Sequence, residues 1–241
     1  MERKMKIKLF TLPNIITLAN LLCGCCSIVA ALVWGDLTLA FVLILAAAVC
    51  DFMDGATARL LKAYSEIGVQ LDSLADMVSF GVAPSVGAYV LATQGVSLFG
   101  LGDEWVKVLC FVPFIMAAFS ALRLAKFNID DTQHEEFCGL PTPANAILCL
   151  SLVMLAWRDG VTVAVEWVAL VSIVLALLLI SPIRMFSFKF KSLAWRANEV
   201  RYLFAAGALI AIFVLRTYSI PLIIVSYIVV STLLWIVRRA K

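Results

Sequence analysis

Eight stretches of this 241-residue chain are apolar for roughly 17–25 residues at a time, the length that a ~30 Å hydrocarbon slab demands of a helix rising 1.5 Å per residue. They cover residues 12–33, 37–61, 67–92, 105–127, 141–157, 162–180, 200–216 and 220–237. Hydrophobic residues make up 63% of the chain and charged residues 15%, against ~45–50% and ~25% in a soluble domain. A soluble globule of this size would be left with a greasy exterior. That excludes a soluble enzyme, a disordered chain and a small disulfide-stapled module. A transmembrane β-barrel would show short alternating segments instead of solid apolar runs. The expected fold is an all-α integral membrane protein of about eight transmembrane helices.

The distribution of positive charge sets an expected orientation. Of the 19 Lys and Arg residues, 16 fall on one side if the eight runs alternate: Arg3, Lys4, Lys6, Lys8, Arg59, Lys62, Arg123, Lys126, Arg184, Lys189, Lys191, Arg196, Arg201, Arg238, Arg239 and Lys241. Only Lys107, Arg158 and Arg216 fall on the other. The positive-inside rule then places both termini in the cytoplasm, with the protein multi-pass in the cell membrane. The first apolar run is too long for the h-region of a cleavable leader. The seven Cys residues lie mostly in or beside apolar runs and read as small packing residues. Residues 4–10 mix Lys with apolar side chains, suiting either a short N-terminal amphipathic segment on an anionic surface or simple topology determinants. The expected organisation is one membrane domain over 1–241: an interfacial segment at 1–11, a core at 12–190 and a C-terminal helical pair at 191–241.

The charges inside the second and third runs carry the chemical information. Asp51, Asp54, Asp72 and Asp76 lie there, and each ionised acid near a helix centre costs ~2.5–3.5 kcal/mol on insertion scales. Asp51 and Asp54 are three apart, Asp72 and Asp76 four apart, so each pair shares a helix face. Asp54 and Asp72 are equidistant from a turn near residues 63–64, and so nearly are Asp51 and Asp76. An antiparallel hairpin therefore aims all four carboxylates at one pocket, expected to open toward the cytoplasm. Four close carboxylates cannot all ionise without a cation. An oxygen-only donor set selects a hard divalent ion, Mg²⁺, Mn²⁺ or Ca²⁺. Spacing alone fits an enzyme and an ion-coupled transporter equally.

Small residues tip that balance. Gly55 and Ala58 adjoin the first acid pair, and Gly68 lies one turn before Asp72. They serve helix packing or leave room for a ligand against the backbone. Arg59, at the rim, offers two parallel donors to a phosphate or else snorkels to the interface. Acids, guanidinium and small residues together suit a pyrophosphate-bearing substrate.

The motif Asp51-x-x-Asp54-Gly55-x-x-Ala58-Arg59-x₈-Gly68-x-x-x-Asp72-x-x-x-Asp76 resembles the signature of the CDP-alcohol phosphotransferases. Segments 12–17, 79–84, 123–128, 137–143 and 187–189 resemble the integral-membrane phosphatidylserine synthase branch, with Lys126 where Arg is more usual. The resemblance implies transfer of a phosphatidyl group from CDP-diacylglycerol to L-serine with release of CMP. It implies two divalent cations, Mg²⁺ or Mn²⁺, held by Asp51, Asp54, Asp72 and Asp76, with Asp76 also as general base. Gly55, Ala58, Arg59 and Gly68 then hold the cytidine diphosphate, and membrane lipids and a second copy in a homodimer are the expected partners. No nucleic acid is expected. Another acceptor, glycerol phosphate or inositol phosphate, suits the same signature.

Remaining polar residues supply further candidates. Asn14 and Thr17 share a face of the first run and suit contact with the nucleotide, although Asn14 equally suits a helix cap. Serine is a zwitterion, so its carboxylate needs a cation. Arg123 and Lys126 suit that role or membrane-edge anchoring, with Asn128 and Ser79 completing the serine site.

Overall fold

A computed structural model describes residues 9–129, 137–185 and 199–239. The basic N-terminal residues through Lys8, the 187–189 segment and most of the basic stretch before the last two helices lie outside the described residues.

Helix α1 (Leu12–Leu32) begins where the Thr11 hydroxyl accepts the Asn14 main-chain N–H, with Pro13 in the first turn. Thr11 rather than Asn14 is thus the cap, and the Asn14 side chain instead donates to the Leu9 carbonyl at 2.8 Å. A tight turn through Gly35, at φ +63°, leads to α2 (Leu37–Leu60), capped by Asp36 accepting from Leu39 N at 2.9 Å. Helices α1 and α2 pack against each other, and their buried residues include the small Ala30, Ala31, Ala40 and Ala47. The Ser27 hydroxyl bonds between them to the Ala40 carbonyl at 2.9 Å. Close backbone approach of this kind is how helices pack where lipid removes the hydrophobic drive between them.

The third rod is not uniform. Its first part, α3 (Glu66–Asp76), is capped by Ser65, whose hydroxyl accepts from Gly68 N at 3.1 Å. Residues Met77–Val82 form a π-helical turn, and α4 (Ala83–Thr93) continues from it with Pro84 in its first turn. Nearly all of α4 is buried, which puts it at the centre of the bundle. Gly87 lies against Leu150 with no room for a Cβ.

The expected fourth run over 105–127 lies within a single span, Asp103–Ile129, that is interrupted at Pro113. Pro113 cannot donate the helical N–H, and the rod divides into α5 (Asp103–Phe111) and α6 (Phe114–Ile129). Helix α7 covers Thr142–Arg158. Helix α8 covers Val165–Ile180, starting later than the expected residue 162 because Gly160, at φ +65°, opens an extended connection. Helices α9 (Glu199–Leu215) and α10 (Ser219–Arg239) are joined by a 3₁₀ turn at Arg216–Tyr218.

Strands β1 (Phe137–Cys138) and β2 (Arg184–Met185) pair antiparallel for two residues each. Gly139, at φ +76°, follows β1 against the Leu179 carbonyl, where any Cβ would collide. At the opposite end of α7, the Tyr218 phenol donates to Asp159 at 2.7 Å and Arg158 Nε donates to it at 3.1 Å. Those two bonds hold the Asp159 carboxyl below its ordinary range. The chain is an all-α membrane protein: among the described residues five helices are long and apolar enough to cross a bilayer, Tyr202–Val237 counted as one, and α7 and α8 are shorter apolar helices.

Candidate functional site

After the turn through Leu61–Tyr64, α3 packs against α1, as α2 does, and the acids of α2 and α3 converge beside it. One carboxylate oxygen each from Asp51, Asp72 and Asp76 lies within 4.8 Å of the others. Asp76 is buried and Asp51 and Asp72 are partly buried. Three carboxylates at this separation repel one another strongly in a low-dielectric setting. Oxygen ligands at 2.0–2.6 Å from an ion stand about that far apart from each other, so the donor set fits a hard divalent cation. Among the described residues this is the single cluster of that kind, and it contains no His or Cys that would favour zinc.

The fourth aspartate stands slightly apart. Asp54 is 6% exposed and accepts a bond from the Thr17 hydroxyl at 2.7 Å. It lines the adjoining cleft with Asp72, so the expectation of four converging carboxylates becomes three in a cluster and one at its edge.

That cleft lies between α1, α2 and α3. Asn14, Thr17, Asp54, Gly55, Ala58, Gly68 and Asp72 line it. The small residues leave it open: a Cβ on Gly55 would meet nothing nearer than Arg59 Nη1 at 4.0 Å. On the opposite wall, a Cβ on Gly68 would come within 3.0 Å of Ser65 Oγ and 3.3 Å of Asn14 Oδ1. The exposed Arg59 has its guanidinium near Gly55 but does not itself line the cleft. Tyr64 and Ser65 also line this cleft. The sequence reading passed over them because they sit in the turn between the two acid pairs.

A second cavity opens at the end of α6. Arg123 and Lys126 line it with Phe127, Cys138, Leu179 and Ser181. Arg123 Nη1 lies 3.5 Å from the Thr142 hydroxyl, its Nε has no hydrogen-bond partner among the described residues, and it lies in the electrostatic field of Asp76. Arg123 therefore stands between the acid cluster and this basic cavity. Asn128 donates to the Ser73 hydroxyl at 2.9 Å and joins α6 to α3. Ser79 is fully buried and donates to the Asn20 carbonyl at 3.0 Å, an interhelical contact that occupies its hydroxyl.

Asn20 is the residue that the sequence reading missed. Its side-chain amide donates to Asp76 Oδ1 at 3.1 Å, and the residue is wholly buried. The signal was present: Asn14, Thr17 and Asn20 recur every three residues on one face of an otherwise apolar helix.

Comparison with known proteins gives this geometry a family. A bacterial relative from Bacillus subtilis, named CDP-diacylglycerol--serine O-phosphatidyltransferase, is 35% identical over 147 residues, covering 61% of this chain and 77% of its own length. A protein of the same name from Helicobacter pylori is 35% identical over 149 residues, covering 61% of this chain but 59% of that protein. One from the archaeon Methanocaldococcus jannaschii is 32% identical over 177 residues, covering 73% and 74% respectively. A model of the CDP-alcohol phosphatidyltransferase family matches residues 10–180, a stretch that includes all four aspartates and both cavities except Ser181. The chain belongs to the CDP-alcohol phosphatidyltransferase family.

Proposed function

We propose that the protein transfers the phosphatidyl group of CDP-diacylglycerol to L-serine, releasing CMP and forming phosphatidylserine. The observation that carries the reading is the cluster of Asp51, Asp72 and Asp76 opening beside a cleft walled by Gly55, Ala58 and Gly68. The shared name of relatives from three lineages favours serine as acceptor.

The cytidine diphosphate occupies the α1–α2–α3 cleft. Gly55, Ala58 and Gly68 give it room against the backbone, Asn14 and Thr17 face it from α1, and Arg59 donates to a phosphate at the mouth. Asp51, Asp72 and Asp76, with Asp54 at the edge, would hold two divalent cations, Mg²⁺ or Mn²⁺. When bound, these neutralise the diphosphate and lower the cost of charge on the leaving oxygen. The serine hydroxyl gives its proton to Asp76 while its oxygen bonds to the β-phosphorus. The bond from that phosphorus to the bridging oxygen breaks, and CMP departs. Arg123 and Lys126 receive the serine carboxylate; Ser79 and Asn128, assigned to the same site from the sequence, are instead engaged in contacts between elements, with the Asn20 carbonyl and the Ser73 hydroxyl.

The acyl chains of the donor stay in the bilayer between helices. The cleft and both termini face the cytoplasm, a reading supported by the 16 basic residues that alternation of the eight apolar runs gathers on one side. The catalytic core is assigned to 12–190, with α9 and α10 as a C-terminal pair, the segment before residue 12 at the interface, and a homodimer as the assembly.

The test is purified protein with CDP-diacylglycerol, Mg²⁺ or Mn²⁺ and a panel of alcohols, read by CMP release. Release that depends on serine, and not on glycerol phosphate or inositol phosphate, is the expected result. Release with a phosphorylated acceptor alone overturns the assignment of serine. Substrate uptake into proteoliposomes without CMP production overturns the transferase reading.

A further inference from the structure

Helix α1 carries a line of polar side chains through an apolar sequence: Asn14, Thr17, Asn20 and Ser27, each at most 4% exposed. Thr17 is answered by Asp54 and Ser27 by the Ala40 carbonyl. Asn20 is the costliest of the line. It is 0% exposed, and its Oδ1 accepts from no donor among the described residues. Leaving a buried amide half-satisfied is destabilising, and an apolar side chain of similar shape would avoid that cost. The fold therefore gains nothing from Asn20 that a leucine would not supply, except the bond from its Nδ2 to Asp76 Oδ1 at 3.1 Å.

The backbone makes that bond stiff. The Asn20 carbonyl accepts from the Ser79 hydroxyl at 3.0 Å, one turn beyond Asp76. A Cβ on Gly24 would lie 2.8 Å from Ser79 Cα, so α1 and the π turn touch main chain to main chain there. Asn20 thus meets the Asp76 region twice, through its side chain and through its carbonyl. A carboxylate so gripped has one oxygen committed to an amide donor, and its ring-like freedom about χ2 is removed. The other oxygen is the one left for Asp51, Asp72 and whatever they bind.

We infer that Asn20 is a positioning residue, whose amide fixes the orientation of the Asp76 carboxylate and thereby selects the oxygen that serves the reaction. The inference rests on the function proposed above, in which Asp76 acts at the reacting centre. Groups that orient a metal-ligating side chain typically change metal affinity or activity by about 10–100-fold when removed.

The experiment compares Asn20→Leu, Asn20→Ser and Ser27→Ala in detergent, with two readouts: kcat and KM for serine at saturating Mn²⁺, and Mn²⁺ binding without substrate by electron paramagnetic resonance. Asn20→Leu is expected to lower kcat by about 10–100-fold with the KM for serine nearly unchanged. Its Mn²⁺ binding is expected to weaken and its melting temperature to hold or rise. Asn20→Ser, too short to reach Asp76, is expected to follow Asn20→Leu and serves if the leucine variant does not fold. Ser27→Ala, which removes a buried polar contact on the same helix away from the acids, is expected to keep both readouts.

Wild-type kcat and Mn²⁺ binding in a folded Asn20 variant overturn the inference, as does an equal loss in Ser27→Ala. Asp76→Asn runs alongside. If it too stays fully active, the proposed role of Asp76 fails; if it is inactive while Asn20→Leu is normal, only the positioning role fails.

Discussion

Thr17 Oγ1 lies 2.7 Å from Asp54 Oδ2, joining α1 to α2 between two buried residues. The same hydroxyl is 3.1 Å from the Pro13 carbonyl. Having one proton, it donates to the carboxylate, the shorter and charge-assisted choice. Bonds of this kind contribute roughly 1.5–3 kcal/mol, and 1.4 kcal/mol is tenfold in an equilibrium. Thr17→Val removes the hydroxyl at nearly constant volume and is expected to raise the KM for CDP-diacylglycerol about tenfold or more. Thr17→Ser should stay close to wild type. Initial rates of CMP release against donor concentration decide it, and an unchanged KM in Thr17→Val would show that Asp54 needs no such anchor.

Asp76→Asn retains the shape of the side chain and the partnership with Asn20 but removes the proton acceptor. General acid–base catalysis contributes about 10²–10⁴-fold, so kcat should fall at least that far. Stabilisation of the protein by CDP-diacylglycerol in a thermal-melt assay should remain measurable. A fully active Asp76→Asn enzyme would remove this residue as the base.

Chelation should stop turnover, and Mg²⁺ or Mn²⁺ should restore it. Asp51→Asn and Asp72→Asn each delete one charge from the three-carboxylate cluster, and both should shift the activating Mn²⁺ concentration upward. Turnover that persists in chelator, or an unshifted Mn²⁺ titration in both variants, would dissociate these acids from any bound cation.

Two glycines on neighbouring helices should respond in opposite ways to one methyl group. In Gly24→Ala the new Cβ meets Ser79 Cα at 2.8 Å, and overpacking of that sort costs about 1–3 kcal/mol. The melting temperature should drop. In Gly55→Ala the nearest atom is 4.0 Å away, and alanine is the better helix former by about 1 kcal/mol. That variant should melt no lower than wild type while its KM for CDP-diacylglycerol rises, because the methyl group narrows the cleft. A normal KM in Gly55→Ala would move the donor elsewhere.

Arg123 lines the second cavity, whereas Arg59 is exposed, with Nη1 4.0 Å from where a Cβ on Gly55 of the first cleft would lie. Arg59→Ala should raise the KM for the donor and leave that for serine nearly alone; Arg123→Ala should do the reverse. Steady-state kinetics with each substrate varied in turn checks the split, and equal effects of both variants on both constants would argue against separate donor and acceptor sites.

The apolar runs and the spacing of the acids were legible because each follows directly from helix geometry: length against bilayer thickness, and i to i+3 or i+4 on one face. Pro113 was also visible, but its effect on the fourth run was not drawn from hydropathy, which stays high on both sides of the break. The π turn at Met77–Val82 has no comparable mark, since the residues there suit an ordinary helix equally well. Asn20 escaped notice for a different reason. The three-residue spacing of Asn14, Thr17 and Asn20 marks a polar face, but what Asn20 does there depends on its partner, and Asp76 is 56 residues away. The separation of Asp54 from the other three carboxylates likewise depends on Thr17, a contact between helices that spacing within α2 does not encode.

The widened turn at Met77–Val82 has a consequence for how this stretch tolerates change in length. Each residue of an α-helix advances the chain by about 100° around its axis. Asp72 and Asp76 precede the turn, and the buried centre of the bundle, α4, follows it. Losing or gaining one residue there would swing the two halves by roughly that angle relative to each other, so that with α4 seated the acids would point away from Asp51. The residue count of this segment is therefore held as firmly as its buried side chains, Ser79 and Phe80.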